Sequence, residues 1–274
     1  MTNKPNLFIV GAPKSGSTFL FQTLGEHSDI FFPVIKELNF FSKDSLEKDS
    51  YYKDYKTQDL NSYLKGFSKN TGEKYLVDSS VSYFTFDDVP QKIRDFNQDA
   101  KIIIITRDPY KRAYSHYLMD KRMGYASGDF SDYLTSEDSF HYNQYVTNSL
   151  YYQNSKRYVE LFGRKNVLFL RLENLREDMS SLFEFLDIPA IDIDFDKKVN
   201  ENKAARNIFG RYAQHNRELV QKMKLYLPSQ FFELAKLFVY KKEAKSDRIS
   251  TEDLNLLESL IHDDYEIFKK EFFS

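Results

Sequence analysis

Four short hydrophobic runs punctuate the chain, at Leu7–Val10, Tyr75–Asp78, Lys101–Thr106 and Val167–Leu172, with helix-like stretches between them. The run Ile102-Ile103-Ile104-Ile105 has no polar alternation, as in a strand covered on both faces of a parallel sheet. Strands alternating with helices predict an α/β fold with a central, mostly parallel sheet flanked by helices. Ligands of such sheets collect at the carboxyl ends of the strands. The segment Gly11–Thr18 and Arg107 both follow hydrophobic runs directly, so both are expected on that edge.

Other patterns fill in the remainder. Residues 42–72 are polar and tyrosine-rich, periodic only near Tyr63 to Phe67, and read as a helical or irregular excursion over the site. Residues 124–148 read as a loop-rich insertion; these two segments are the expected acceptor walls. Phe162 to Asn166 reads as a helix end and turn, and Ile191 to Asp196 alternates like a strand. Ser250 and Thr251 suit a helix cap and Glu252 and Asp253 its first turn. Leu254, Leu257, Ile261, Tyr265, Phe268 and Phe272 then recur at spacings of three and four. A packing helix is expected over about 250–273, within a single domain spanning 1–274.

Composition narrows the function. Of 274 residues, 41% are hydrophobic and 29% charged, enough apolar content for a substantial core. The formal net charge of −2 means that an anionic ligand must be held by local basic clusters, and it argues against nucleic acid as a partner. No cysteine is present, which excludes disulfides, thiolate nucleophiles and thiolate metal sites and fits a reducing compartment. The five histidines form no metal pattern. No apolar run is long enough to span a membrane, so a soluble cytoplasmic protein is expected, and the Lys, Asn, Ile, Tyr and Phe bias suggests a bacterial source.

The candidate chemistry begins at Gly11-Ala12-Pro13-Lys14-Ser15-Gly16-Ser17-Thr18. Gly11 and Gly16 keep the glycine spacing of a nucleoside-triphosphate loop, in which a lysine follows the second glycine. Here Ser17 stands at that position and Lys14 lies two residues before Gly16. The amides of Ser15 to Thr18 would still open a helix whose amino end favours an anion. Further along, Asp108 suits a helix cap and Pro109 the first helical position. Ser115 then lies about 9 Å along the axis at roughly 1.5 Å per residue, so only a long Arg107 side chain meets it at one anion.

The Pro-Lys-Ser-Gly-Ser-Thr loop resembles the phosphosulfate-binding loop of sulfotransferases that use 3′-phosphoadenosine 5′-phosphosulfate (PAPS). Arg107 with Ser115 resembles the site those enzymes use for the 3′-phosphate. Asn202-Lys203-Ala204-Ala205-Arg206 is similar to the late basic loop that closes over the nucleotide, although the family loop often has glycine where Ala204 stands. Lys36-Glu37-Leu38-Asn39-Phe40-Phe41 resembles the Lys-Glu-x-x-Phe-Phe segment of bacterial members and the Glu-x-x-Phe-Phe segment of heparan-sulfate-type members, whose glutamate takes the acceptor proton. The resemblance covers about Leu7 to Arg206.

It implies a P-loop-type three-layer fold and a PAPS-dependent sulfotransferase. Glu37 would be the general base and Lys14 would stabilise the leaving phosphate. Ser15, Gly16, Ser17, Thr18, Arg107, Ser115, Lys203 and Arg206 would join Lys14 in binding the nucleotide, and Lys36 and Tyr83 would contact the acceptor. The implied product is adenosine 3′,5′-bisphosphate, with no metal required and a carbohydrate, lipid or small-molecule hydroxyl as acceptor. One departure concerns Val77-Asp78-Ser79-Ser80-Val81-Ser82-Tyr83, where heparan-type enzymes often show Val-Glu-Lys-Thr-Pro-x-Tyr: Ser79 replaces the lysine and Val81 the proline. His116 or His141 is the alternative base, by analogy with the histidine of phenol- and steroid-type members. A P-loop kinase using ATP and Mg²⁺, and a nucleotide-binding protein that transfers nothing, are the competing readings.

Overall fold

The computed structural model describes residues 3–48, 59–195, 203–205, 240–242 and 248–273. In chain order the described elements are β1 (Leu7–Gly11), α1 (Ser17–Leu24), β2 (Ile30–Phe31), α2 (Lys43–Lys48), α3 (Leu60–Lys65), β3 (Tyr75–Ser79), α4 (Val89–Phe96), β4 (Lys101–Thr106) and α5 (Pro109–Met123). They continue with α6 (Phe130–Leu134), α7 (Phe140–Tyr145), α8 (Tyr151–Phe162), β5 (Val167–Arg171), α9 (Leu175–Leu186), β6 (Lys203–Ala205), β7 (Tyr240–Lys242) and α10 (Thr251–Phe272). The central sheet is parallel, in the order β2-β3-β1-β4-β5.

The alternation of side chains along each strand divides the core into two layers. Phe8, Val10, Ile102, Ile104 and Phe169 face the layer that contains Ile93 of α4, Tyr158 of α8 and Phe268 and Phe272 of α10. Leu7, Ile9, Ile103, Ile105 and Leu170 face Leu20 and Leu24 of α1 and Leu182 and Leu186 of α9. Helices on both faces make a three-layer sandwich. The four isoleucines of β4 are fully buried, and each contributes about 1.5–3 kcal/mol on the scale of apolar transfer.

Helix α10 is capped by Ser250, whose side chain accepts from the Asp253 N–H. Its Phe272 ring stacks on Phe169 with centroids 4.5 Å apart, while Leu257 and Ile261 pack against α5 and α6. One helix thus ties the outer strand β5 to the layer over α5.

The structure refines the sequence expectations in several places. Residues 124–148 are a loop segment that also carries two short helices, α6 and α7, stapled by the Asp129–Asp132 capping box and the Ser139 cap. Phe130, Leu134 and Tyr145 are buried in a shared cluster with α5 and α10. Short polar helices with only one or two apolar anchors each escape a search for long periodicity. Ile191 to Phe195 form no strand; Ile191, Ile193 and Phe195 alternate because that extended segment lies on the core with one side inward. Strand β2 escaped prediction because two residues carry no readable pattern. Within 42–72, α2 and α3 form at either side of residues 49–58, which lie outside the described residues.

Candidate functional site

The site is built where β1, β3 and β4 end. Strand β1 runs into a loop in which Lys14 (φ 66°) and Gly16 (φ 95°) both adopt left-handed backbone. The left-handed backbone favours glycine at Gly16, where a Cβ would stand 2.6 Å from Leu172 Cδ1 and displace that methyl. Gly16 caps α1 without any side-chain hydrogen bond. The first N–H groups of α1 therefore remain for an anion. The Ser15 side chain is fully buried.

Lys14 reaches toward α5, with Nζ 3.5 Å from Met119 Sδ. Burial lowers its pKa to about 8, helped by Arg122, Arg107 and Arg112 and opposed by Asp120. An ammonium crowded by cations in a partly desolvated site gains from an arriving anion. Beneath it lies a buried cluster that sequence reasoning missed. Arg112 is fully buried and donates to the carbonyls of Gln144 and Tyr145, and Tyr145 donates its hydroxyl to Asp120 Oδ2 at 2.8 Å. The signal was the i, i+4 spacing of Arg112 and His116, which puts both on the inner face of α5.

Arg107 follows β4, and its carbonyl accepts from the Tyr151 hydroxyl at 3.0 Å. Its guanidinium has no ion-pair partner among the described residues. Asp108 caps α5 by accepting from the Lys111 N–H at 2.9 Å, and its own N–H donates to Glu173 Oε1. Pro109 stands at the helix start, so the local expectation for this segment matches the geometry. Ser115 lies part-exposed on α5. Its neighbour His116 is buried and sits 3.4 Å from Arg112 Nη1; burial, then Arg112 and Lys14, push its pKa well below the usual imidazole range. His116 thus belongs to the buried Arg112 cluster. His141 is occupied at Nε2 by the Tyr125 carbonyl at 3.0 Å.

On the other side of β1, the segment after β2 carries Lys36 and Glu37. The Glu37 N–H donates to the Ser79 carbonyl at 3.2 Å. Lys36 Nζ lies 2.5 Å from Glu37 Oε1 and 3.4 Å from Ser17 Oγ, which joins this segment to the start of α1. Glu37 (φ 63°) and Asn39 (φ 54°) are both left-handed, a conformation for which only asparagine of the two has a preference.

A hydroxyl network holds that turn. Asp78 is fully buried and accepts from Tyr63 at 2.8 Å, Tyr83 at 2.7 Å and Ser80 at 2.6 Å. Burial raises its pKa while the three donors oppose the shift. Ser80 Oγ accepts from the Asn39 N–H, and Ser82 Oγ donates to Asn39 Oδ1 at 2.6 Å. Tyr83, expected to contact the acceptor, is a correction: it is fully buried and its hydroxyl is committed to Asp78. Its seclusion is what makes it an internal brace.

Lys203 lies in β6, paired antiparallel with β7; its side chain and Arg206 lie outside the described residues. An open pocket of about 680 Å³ lies beside β2, with Phe21, Glu26, Phe32, Pro33, Val34 and Glu73 among its lining residues. Lys14, Lys36, Glu37 and Arg107 do not line it. Among the described residues no group of three or more His, Asp or Glu is arranged to hold a metal ion, and no helix is long and apolar enough to cross a membrane. An uncapped helix start, a desolvated lysine and an arginine without an ion-pair partner fit a nucleotide with several anionic groups.

Residues 4–205 match the sulfotransferase domain family. The chain is 31% identical over 116 residues to the bifunctional heparan sulfate N-deacetylase/N-sulfotransferase 1 of Xenopus laevis, covering 41% of this chain and 12% of that protein. It is 28% identical over 113 residues to the heparan sulfate glucosamine 3-O-sulfotransferase 5 of Mus musculus, covering 41% of this chain and 30% of that protein. The chain therefore spans under a third of the length of these curated relatives. Among solved structures, a sulfotransferase from Alicyclobacillus acidocaldarius superposes with a TM-score of 0.59 at 28% identity, over 70% of this chain and 87% of that one.

Proposed function

Since the chain belongs to the sulfotransferase domain family, we propose that it moves a sulfuryl group from PAPS to an acceptor hydroxyl. The observation that carries this reading is the meeting, at one sheet edge, of the α1 amino end with Lys14 on one side and Lys36 and Glu37 on the other. The loop amides and Lys14 bind the phosphosulfate end, and Arg107, Ser115, Lys203 and Arg206 bind the remaining phosphate. A guanidinium fork suits phosphate oxygens in a way an ammonium does not.

In the transfer the acceptor oxygen forms a bond to sulfur as the bond from sulfur to the 5′-phosphate oxygen breaks. Glu37 accepts the hydroxyl proton, which raises the nucleophilicity of the oxygen. Lys14 and the α1 amides neutralise the charge left on the phosphate oxygen. Adenosine 3′,5′-bisphosphate departs with the bonding pair. The acceptor is a hydroxyl on a carbohydrate or lipid; the relatives named above are enzymes of heparan sulfate. A reducing, cytoplasmic setting belongs to this reading, supported by the chain's lack of cysteine.

The test is thermal unfolding with the bisphosphate, AMP and ATP side by side. At about 100 times its dissociation constant a ligand adds about 2.7 kcal/mol. The bisphosphate is expected to give the largest shift, without added Mg²⁺. A larger shift with ATP and Mg²⁺, lost on chelation, would move the protein to the kinases.

A further inference from the structure

Two ammonium groups flank the start of α1 from opposite sides, and the family reading uses only one of them for the donor. Lys14 lies on the β4 side, against Met119 of α5. Lys36 lies on the β3 side, with its side chain only 18% exposed, although it sits between a surface turn and the sheet edge. Its two contacts belong to different halves of the reaction. Ser17 is the first residue of the helix that receives the anion, and Glu37 is the candidate base.

We propose that Lys36 is the second cation of the transfer site: its ammonium contacts the sulfuryl group of the donor while holding Glu37 Oε1. This rests on the proposed sulfuryl transfer. Four points support it. A sulfuryl group in flight lies between the leaving oxygen, held at the α1 amino end, and the acceptor oxygen, held at Glu37. Lys36 Nζ bridges residues of both halves, 3.4 Å from Ser17 Oγ at the start of α1 and 2.5 Å from Glu37 Oε1. An ammonium has three donors, so with one on Glu37 and one on Ser17 a third remains for a sulfuryl oxygen. The bond to Oε1 also leaves Oε2 without a partner among the described residues, and that oxygen is available for the acceptor proton.

Neighbouring residues offer no substitute. Ser79, at the end of β3 next to the Glu37 N–H, is buried and neutral. The burial of Asp78 within its three hydroxyl donors leaves no cation on that strand end either. Lys36 is thus the positive group that the β3 side of the site presents toward Ser17.

The proposal separates two ligands that share every group except the sulfuryl. Calorimetric titration of Lys36→Met and Lys36→Arg with PAPS, without acceptor, and with adenosine 3′,5′-bisphosphate provides the test. Loss of a charge-assisted hydrogen bond is expected to weaken PAPS binding by about 10-fold or more, with bisphosphate binding within about 2-fold of the parent. Lys36→Arg should recover most of the PAPS affinity, and kcat of Lys36→Met should fall with an unchanged thermal midpoint. Equal weakening of both ligands, or of neither, overturns the assignment of Lys36 to the sulfuryl group. A parent protein that binds neither ligand instead removes the proposed function itself, and the inference with it.

Discussion

The Glu37 N–H donates to the Ser79 carbonyl at 3.2 Å, so the candidate base hangs directly from the end of β3. Its turn is completed by the Asn39 N–H on Ser80 Oγ at 3.0 Å. Two residues in left-handed backbone conformation are held in place by groups at the end of β3. Ser80→Ala removes the acceptor of the Asn39 N–H and one donor to Asp78. We expect kcat to fall about 10-fold or more, in line with the cost of small displacements of a reacting group, with bisphosphate affinity unchanged. Steady-state kinetics and calorimetry on the same preparation check this; an unchanged kcat would free the turn from any positioning role.

Asp78 is the hub of that support. Asp78→Ala leaves the buried Tyr63 and Tyr83 hydroxyls without their acceptor. Each orphaned polar group costs about 1–3 kcal/mol. Urea unfolding is expected to show a loss of about 3 kcal/mol or more, and Asp78→Asn, which keeps an acceptor oxygen, a smaller one.

Much of this was legible in the sequence. Leu7–Val10 and the four isoleucines of β4 announced a buried parallel sheet, and Gly16 and Asp108-Pro109 marked both helix starts. The hydroxyl network was not legible, because Asn39, Tyr63 and the Asp78–Ser80 strand end come from three separate segments that only the fold brings together. Tyr83 misled for the same reason: a tyrosine near a site reads as a contact until its burial is known. Arg112 escaped notice because a fully buried arginine looks, in sequence, like any solvated one.

Lys14 ties binding to pH. Its pKa is lowered to about 8, below the value of an unfolded chain, so between about 8 and 10.5 the unfolded state holds more protons. Stability of the ligand-free protein attributable to Lys14 therefore rises with pH through that window. Bisphosphate affinity should move the other way, falling as pH rises above about 8 and the ammonium is lost. Titrations from pH 7 to 9.5 test the sign; Lys14→Ala should bind weakly and show a flatter profile.

Gly16→Ala adds a Cβ 2.6 Å from Leu172 Cδ1 at a φ of 95°. Overpacking and left-handed strain together are expected to cost about 1–3 kcal/mol and to weaken bisphosphate binding by displacing the α1 amides. A thermal melt with and without ligand reads both effects.

Arg107→Ala should erase the preference for adenosine 3′,5′-bisphosphate over AMP, with about a 10-fold or greater loss for the former. AMP affinity is expected to stay nearly constant. Parallel losses for both nucleotides would assign Arg107 to the 5′ end instead.

The central claim is that this sheet edge transfers a sulfuryl group with Glu37 taking the proton. Radiolabelled transfer from PAPS to a panel of carbohydrate and lipid alcohols, run beside bisphosphate titration, tests it on Glu37→Gln. Transfer by the parent protein, a loss of at least about 100-fold in the variant and unchanged bisphosphate affinity are the predicted result. Normal turnover in the variant, or no transfer by the parent to any acceptor despite tight bisphosphate binding, would contradict it.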